Sequence, residues 1–146
     1  MPTLKIYLAS PFFNEFELTC VRRAEEILFS RGFDVFSPRL HEIRGAEENP
    51  EQWSRETFLS DRDNLEKAGV VVMLYHGNYS DSGTAWEAGY ACARGIPVVA
   101  VHVGESEQAG SNLMIHESAR ANISLEALES YDFTALLQKP YRGKTF

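Results

Sequence analysis

Three short runs of the chain are almost wholly apolar and rich in β-branched residues: KIYLAS (Lys5 to Ser10), GVVVMLY (Gly69 to Tyr75) and PVVAVHV (Pro97 to Val103). Runs of that length without polar alternation suit strands covered on both faces, as in parallel sheets. DVFSP (Asp34 to Pro38) is a weaker fourth. Between the runs, apolar positions recur every three or four residues. NEFELTCVRRAEEILFSRG sets Phe16, Cys20, Ala24, Ile27 and Leu28 on one face and ends at Gly32, where a glycine cap belongs. EQWSRETFLSDRDNLEKA and GTAWEAGYACARG supply two further helices, and NLMIHESA and SLEALESY follow the last run. The alternation predicts a single α/β domain over residues 1–146, doubly wound in the flavodoxin or Rossmann manner. Its sheet is expected to be mostly parallel, of about five strands, and flanked by helices. Ligands in such folds bind beyond the carboxyl ends of the strands, so chemistry is expected just after Ser10, Tyr75 and Val103.

The rest of the pattern is polar. LHEIRGAEENPEQ (residues 40–52) reads as a loop forming part of a lid, and QKPYRGKTF at the end has little periodicity, reading as a tail over the surface or onto a neighbour.

Composition narrows the classes. At 146 residues, with 44% hydrophobic and 24% charged, the chain has the make-up of one globular domain with its own core. A net charge of −7 disfavours a nucleic-acid polymer as partner, since such surfaces concentrate Lys and Arg. No long apolar segment or leader pattern is evident, so no membrane partner is expected and a cytoplasmic location is the default. Cys20 and Cys92 read as buried helix thiols; His41, His76, His102 and His116 lack metal-ligand spacing and read as solvated or loop residues. No metal and no cofactor are expected.

Two carboxylates stand out. In RETFLSDRDNLEKA, at 100° per residue, Phe58, Leu65 and Ala68 define an apolar stripe; Asp61 falls within it and Asp63 points almost opposite. An acid on an apolar face needs a reason, which is either a local partner or chemistry. Glu87 lies one turn into the helix opening at DSGT, where Asp81 or Ser82 can cap and Gly83 permits close approach to the backbone. The helix macrodipole is expected to keep Glu87 ionised at neutral pH. One ionised acid and one in an apolar setting form the pair used in glycosidic cleavage, with Glu87 as nucleophile and Asp61 as acid. A Gly-rich phosphate cradle is missing from ASPFFNE, so dinucleotide binding is disfavoured. Phe12 and Phe13 offer aromatic faces to a planar ring, core packing being the alternative, and the hydroxyl of Tyr7, inside a strand, needs a partner such as a carboxylate at a neighbouring strand end.

KIYLASPFFNE, SDRDNLEKAGVVV, DSGTAWEAGYA, the NLM at Asn112 to Met114, and the YDF and KPY elements between Tyr131 and Tyr141 together resemble the nucleoside 2-deoxyribosyltransferase family. The resemblance implies cleavage of the N-glycosidic bond of a 2′-deoxynucleoside, a covalent deoxyribosyl ester, and transfer to another free purine or pyrimidine base. It implies Glu87 as nucleophile, Asp61 as the group exchanging a proton with the base, and Tyr7 orienting Glu87. Asp81 and Asn112 would hold the sugar 5′-hydroxyl, and Phe12 and Phe13 would wall the base. Gly83 and Met114 would also line the substrate. A homo-oligomer built from dimers, up to a hexamer, is implied too. Two departures are visible: Gly69 stands where the family often has Asp, and Phe146 ends the chain without a hydroxyl, leaving open whether its carboxylate completes a neighbouring site. The competing readings are a hydrolase of deoxynucleosides or their 5′-monophosphates, the latter disfavoured because Asp81 would repel a phosphate, and a nucleoside-binding module without turnover.

Overall fold

The computed structural model describes residues 3–77, 80–103 and 110–146. Its five strands are β1 (Lys5–Ala9), β2 (Asp34–Phe36), β3 (Val70–Tyr75), β4 (Val98–His102) and β5 (Ala121–Ser124), ordered β2-β1-β3-β4-β5 and all parallel. This is the flavodoxin-like winding, with its topological switch between β1 and β3. Four strands are the runs read from the sequence; β5 is ANIS, too short and too mixed to register as an apolar run.

Helices α1 (Glu15–Ser30), α2 (Pro50–Glu66), α3 (Ser82–Ala93) and α4 (Leu113–Ser118) connect them. Each has a side-chain cap: Asn14 accepts from Glu17 N, Asn49 from Gln52 N, Asp81 from Thr84 N and Asn112 from Met114 N. Gly32 closes α1 at φ 84°, a conformation glycine adopts freely.

The strand period of two divides the core. Ile6, Leu8, Val70, Val72 and Leu74 pack against Cys20, Ala24, Ile27 and Leu28 of α1. Tyr7, Ala9, Val71, Met73 and Tyr75 face Leu65 of α2 and Ala88 and Ala91 of α3. That second layer carries the site. No described helix is long and apolar enough to cross a membrane.

Several expectations are corrected. Phe16 is 54% exposed, because the first turn of α1 overhangs the sheet, where its ring meets His76 edge-on at 5.8 Å. Phe58 is also exposed. Cys92 is exposed rather than buried: the sheet-facing positions of α3 are Thr84, Ala88 and Ala91, and the next residue turns outward. His116 is buried and His102 half-buried, not solvated, since both rings stack on Tyr141 at 4.7 and 4.8 Å.

The tail also docks on its own chain. Asn122 N donates to Lys139 O, Ser111 N to Lys144 O and Leu113 N to Phe146 O. Gly110, at φ 84°, permits this approach, because a Cβ there would lie 2.9 Å from Lys144 O. Gly69 has a local reason as well: a Cβ would come within 2.7 Å of Leu4 Cδ1. The stretch just after Val103 lies outside the described residues.

Candidate active site

A cavity of about 970 Å³ opens at the switch between β1 and β3. Ser10, Phe12 and Phe13 enter it from the end of β1, Pro38 and His41 from beyond β2, and Asp81, Gly83, Trp86 and Glu87 from the start of α3. Trp53, Thr57, Asp61 and Leu65 line it from α2 at strict four-residue spacing, one face of that helix. Trp53 Nε1 donates to Ile43 O at 2.9 Å, which ties the loop between the turn at Pro38–His41 and α2 to the cavity wall.

Glu87 and Tyr7 meet here. The Tyr7 hydroxyl donates to Glu87 Oε2, giving the buried phenol the partner its position demands. Burial, then the charges of Glu87 and Asp61, push the Tyr7 pKa far above the usual tyrosine range, so Tyr7 is a fixed donor. Among the described residues Glu87 Oε1 has no hydrogen bond, leaving one oxygen free to face a ligand. Phe36 stacks on the Tyr7 ring at 5.6 Å and His41 on Phe36 at 4.6 Å, fixing the phenol from behind.

The charge state of Glu87 corrects the sequence reading. Its pKa is raised to about 7, chiefly by burial and further by Asp61 and Asp81, although the Tyr7 bond lowers it. Glu87 is the sixth residue of α3, and the favourable dipole fades beyond the first turn, so burial wins. Asp61 is raised to about 6 by burial. Asp63 is exposed, so of the two aspartates it is Asp61 that faces the cavity.

Asp81 Oδ2 accepts from Thr84 N at 3.0 Å and from Thr84 Oγ1 at 3.1 Å, while its other oxygen makes no hydrogen bond among the described residues. A Cβ on Gly83 would lie 3.0 Å from Asp81 Oδ2, so the glycine leaves that carboxylate room. Phe12 and Phe13 stack on each other at 5.8 Å along the cavity wall, and Phe13 is 77% exposed.

Asn112 and Met114 do not line this cavity. Asn112 caps α4 through its side chain and donates its backbone N–H to Tyr75 Oη at 2.9 Å, and Met114 is 70% exposed. Sequence reasoning missed the walls contributed by Trp53, Thr57, Arg62, Trp86 and His41. The four-residue spacing from Trp53 through Asp61 to Leu65 is the signal that finds the α2 wall; the others depend on tertiary placement. Among the described residues, no group of three or more His, Cys, Asp and Glu side chains is placed to hold a metal ion.

Comparison with known proteins bears on this geometry. The family model for nucleoside 2-deoxyribosyltransferase matches residues 6–123. No curated protein matches the sequence. Among solved structures, the chain is similar to a 2-deoxyribosyltransferase from Bacillus psychrosaccharolyticus, at 38% identity and TM-score 0.85, covering 94% of this chain and 99% of that one. It shares its fold with a CMP N-glycosidase from Clostridium botulinum, at 20% identity and TM-score 0.59, covering 88% of this chain and 99% of that one. The fold is also that of a 2-desoxiribosyltransferase from Leishmania mexicana, at 18% identity and TM-score 0.60, covering 91% and 93%.

Proposed function

The chain belongs to the nucleoside 2-deoxyribosyltransferase family, and from that premise we propose that it moves 2-deoxyribose between nucleobases by double displacement on Glu87. The observation that carries the reading is the arrangement of Glu87, held by Tyr7, and Asp61 across one cavity at the carboxyl ends of β1 and β3. Among the described residues neither carboxylate has an ion-pair partner, and both sit at raised pKa through burial.

The reaction proceeds in two halves. Glu87 Oε1 attacks C1′ of a 2′-deoxynucleoside, the N-glycosidic bond breaks toward the base, and Asp61 passes its proton to the base so that it leaves neutral. A 2-deoxy sugar lacks the electron-withdrawing hydroxyl beside C1′, so the oxocarbenium-like transition state is accessible to a single positioned carboxylate. Tyr7 holds Glu87 in place for attack. In the second half Asp61 removes a proton from an incoming base, which displaces Glu87 and restores the original configuration. Asp81 offers its free oxygen to the sugar 5′-hydroxyl, and Phe12 and Phe13 cover the base. Asn112 and Met114 lie outside the cavity of this chain, so any contact they make with substrate comes in a homo-oligomer.

Water is the competing acceptor, and the hydrolase reading differs only in that second half. The test follows thymidine or deoxyguanosine incubated with adenine by chromatography, with wild type and Glu87→Ala. Deoxyadenosine from wild type and none from the variant supports transfer through Glu87. Free base and deoxyribose without deoxyadenosine identifies a hydrolase instead, and unaltered turnover by the variant refutes the nucleophile.

A further inference from the structure

Several helical hydroxyls in this chain turn back on their own backbone. Thr19 Oγ1 donates to Glu15 O at 2.9 Å, Ser30 Oγ to Ile27 O at 2.9 Å, and Ser118 Oγ to Met114 O at 2.6 Å. That is the ordinary resting place of such a group when nothing else claims it. Thr57, in the middle of α2, does otherwise: its Oγ1 is buried and has no hydrogen-bond partner among the described residues. A buried hydroxyl left unbonded is unfavourable, so its location calls for a partner that arrives later.

The location is informative. Thr57 lines the active-site cavity one helical turn before Asp61, on the same face of α2. A helical threonine divides between two χ1 rotamers, so rotation about χ1 turns the buried hydroxyl toward the cavity without moving α2. The ligand that meets Asp61 therefore has its neighbouring edge beside Thr57.

We propose that the Thr57 hydroxyl reads the exocyclic group of the nucleobase, next to the ring atom that exchanges a proton with Asp61. This rests on the role given to Asp61 above. In a purine, N7 lies beside the 6-substituent, which is an amino donor in adenine and an oxo acceptor in hypoxanthine. A hydroxyl both donates and accepts, so one side chain serves either base. Arg62 also lines this wall, its Nε 4.0 Å from Glu66 Oε1, but a guanidinium only donates and would favour oxo bases alone. Thr57 thus makes the site tolerant of amino and oxo purines while still gaining from either.

The experiment compares acceptors. In double-displacement kinetics the acceptor kcat/KM reports only the second half-reaction, so adenine, hypoxanthine and unsubstituted purine are compared directly, with thymidine or deoxyguanosine as donor. In Thr57→Val, which keeps the shape and removes the hydroxyl, kcat/KM for adenine and for hypoxanthine is expected to fall about tenfold, the size of one hydrogen bond. For unsubstituted purine it is expected to stay unchanged, and Thr57→Ser is expected to restore the substituted bases. An equal fall for all three acceptors, or no fall for any, overturns the assignment while leaving the transferase reading intact. A wild type that transfers to none of the three overturns both. Should Thr57→Val fail to fold, the assignment is overturned if Thr57→Ala, which leaves a folded helix, treats the three acceptors alike.

Discussion

Glu87 shows what a single residue in this site must reconcile. To serve as the proposed nucleophile it must be ionised, yet its burial raises its pKa to about 7 while Asp61, the proposed acid, sits at about 6. Of the singly protonated forms, the one with the proton on Asp61 and the charge on Glu87 is then the less favoured. The Tyr7 bond works against that imbalance, which is why Tyr7→Phe should lower kcat more than it alters KM. Because catalysis needs one proton on the pair, kcat/KM for the deoxynucleoside is expected to peak between about pH 6 and 7 and to fall on both sides. A profile still rising well above pH 7 would contradict the assignment. The same shift carries a stability consequence. The folded state holds the Glu87 proton more tightly than the unfolded chain, so wild type loses stability as pH rises from about 4.5 to about 7. Glu87→Gln lacks that loss: its Tm should pull ahead of wild type across this window and hold its lead above it, as thermal denaturation would show. Asp61 facing inward and Tyr7 needing a partner were both legible from periodicity. The pKa of Glu87 was not, because it depends on how deeply α3 and its neighbours enclose the group, and no local pattern encodes that.

At the scale of elements, α3 explains how an acid comes to sit in a helix of small residues. Ala88 and Ala91 are buried against the sheet, so α3 lies close to it and brings Glu87 within reach of Tyr7 on β1. Gly89, beside Ala88 on the same helix, is exposed, and a Cβ there would meet nothing within 4 Å. Gly89→Ala should therefore stabilise the protein by about 0.5–1 kcal/mol through helix propensity. Ala88→Leu should cost about 1–3 kcal/mol by overpacking and reduce turnover as well. Denaturant melts of the pair separate the two faces of the helix; equal effects from both would contradict the packing. The four apolar or mixed runs, the three long helices and the caps at Gly32 and Asp81 were readable because each carries a local signal; the caps at Asn14 and Asn49 were not read. β5 and α4 were not: ANIS mixes polar and apolar residues, α4 has only six residues, and both are held by neighbours rather than by their own patterns.

Viewed as a whole molecule, the chain leaves Phe13, Phe58 and Trp86 exposed at the cavity mouth while its C-terminal tail folds back on Ser111 and Leu113. Apolar groups gathered at one mouth fit the proposed homo-oligomer, and sedimentation should give a multiple of the 16.5 kDa chain mass. A lone 16.5 kDa species that transfers at full rate would contradict it. The docked tail was not foreseeable from QKPYRGKTF, since its order comes from backbone pairing and from Tyr141 lying between His102 and His116. The central claim concerns the bond formed at Glu87, and the mass of the intact protein tests it most directly. Rapidly quenched with a 2′-deoxynucleoside in the absence of an acceptor base, wild type should gain the mass of one deoxyribosyl group, mapped by peptide fragmentation to Glu87 and discharged on adding adenine. Product formation with no adduct at any quench time, or an adduct on another residue, would contradict the account.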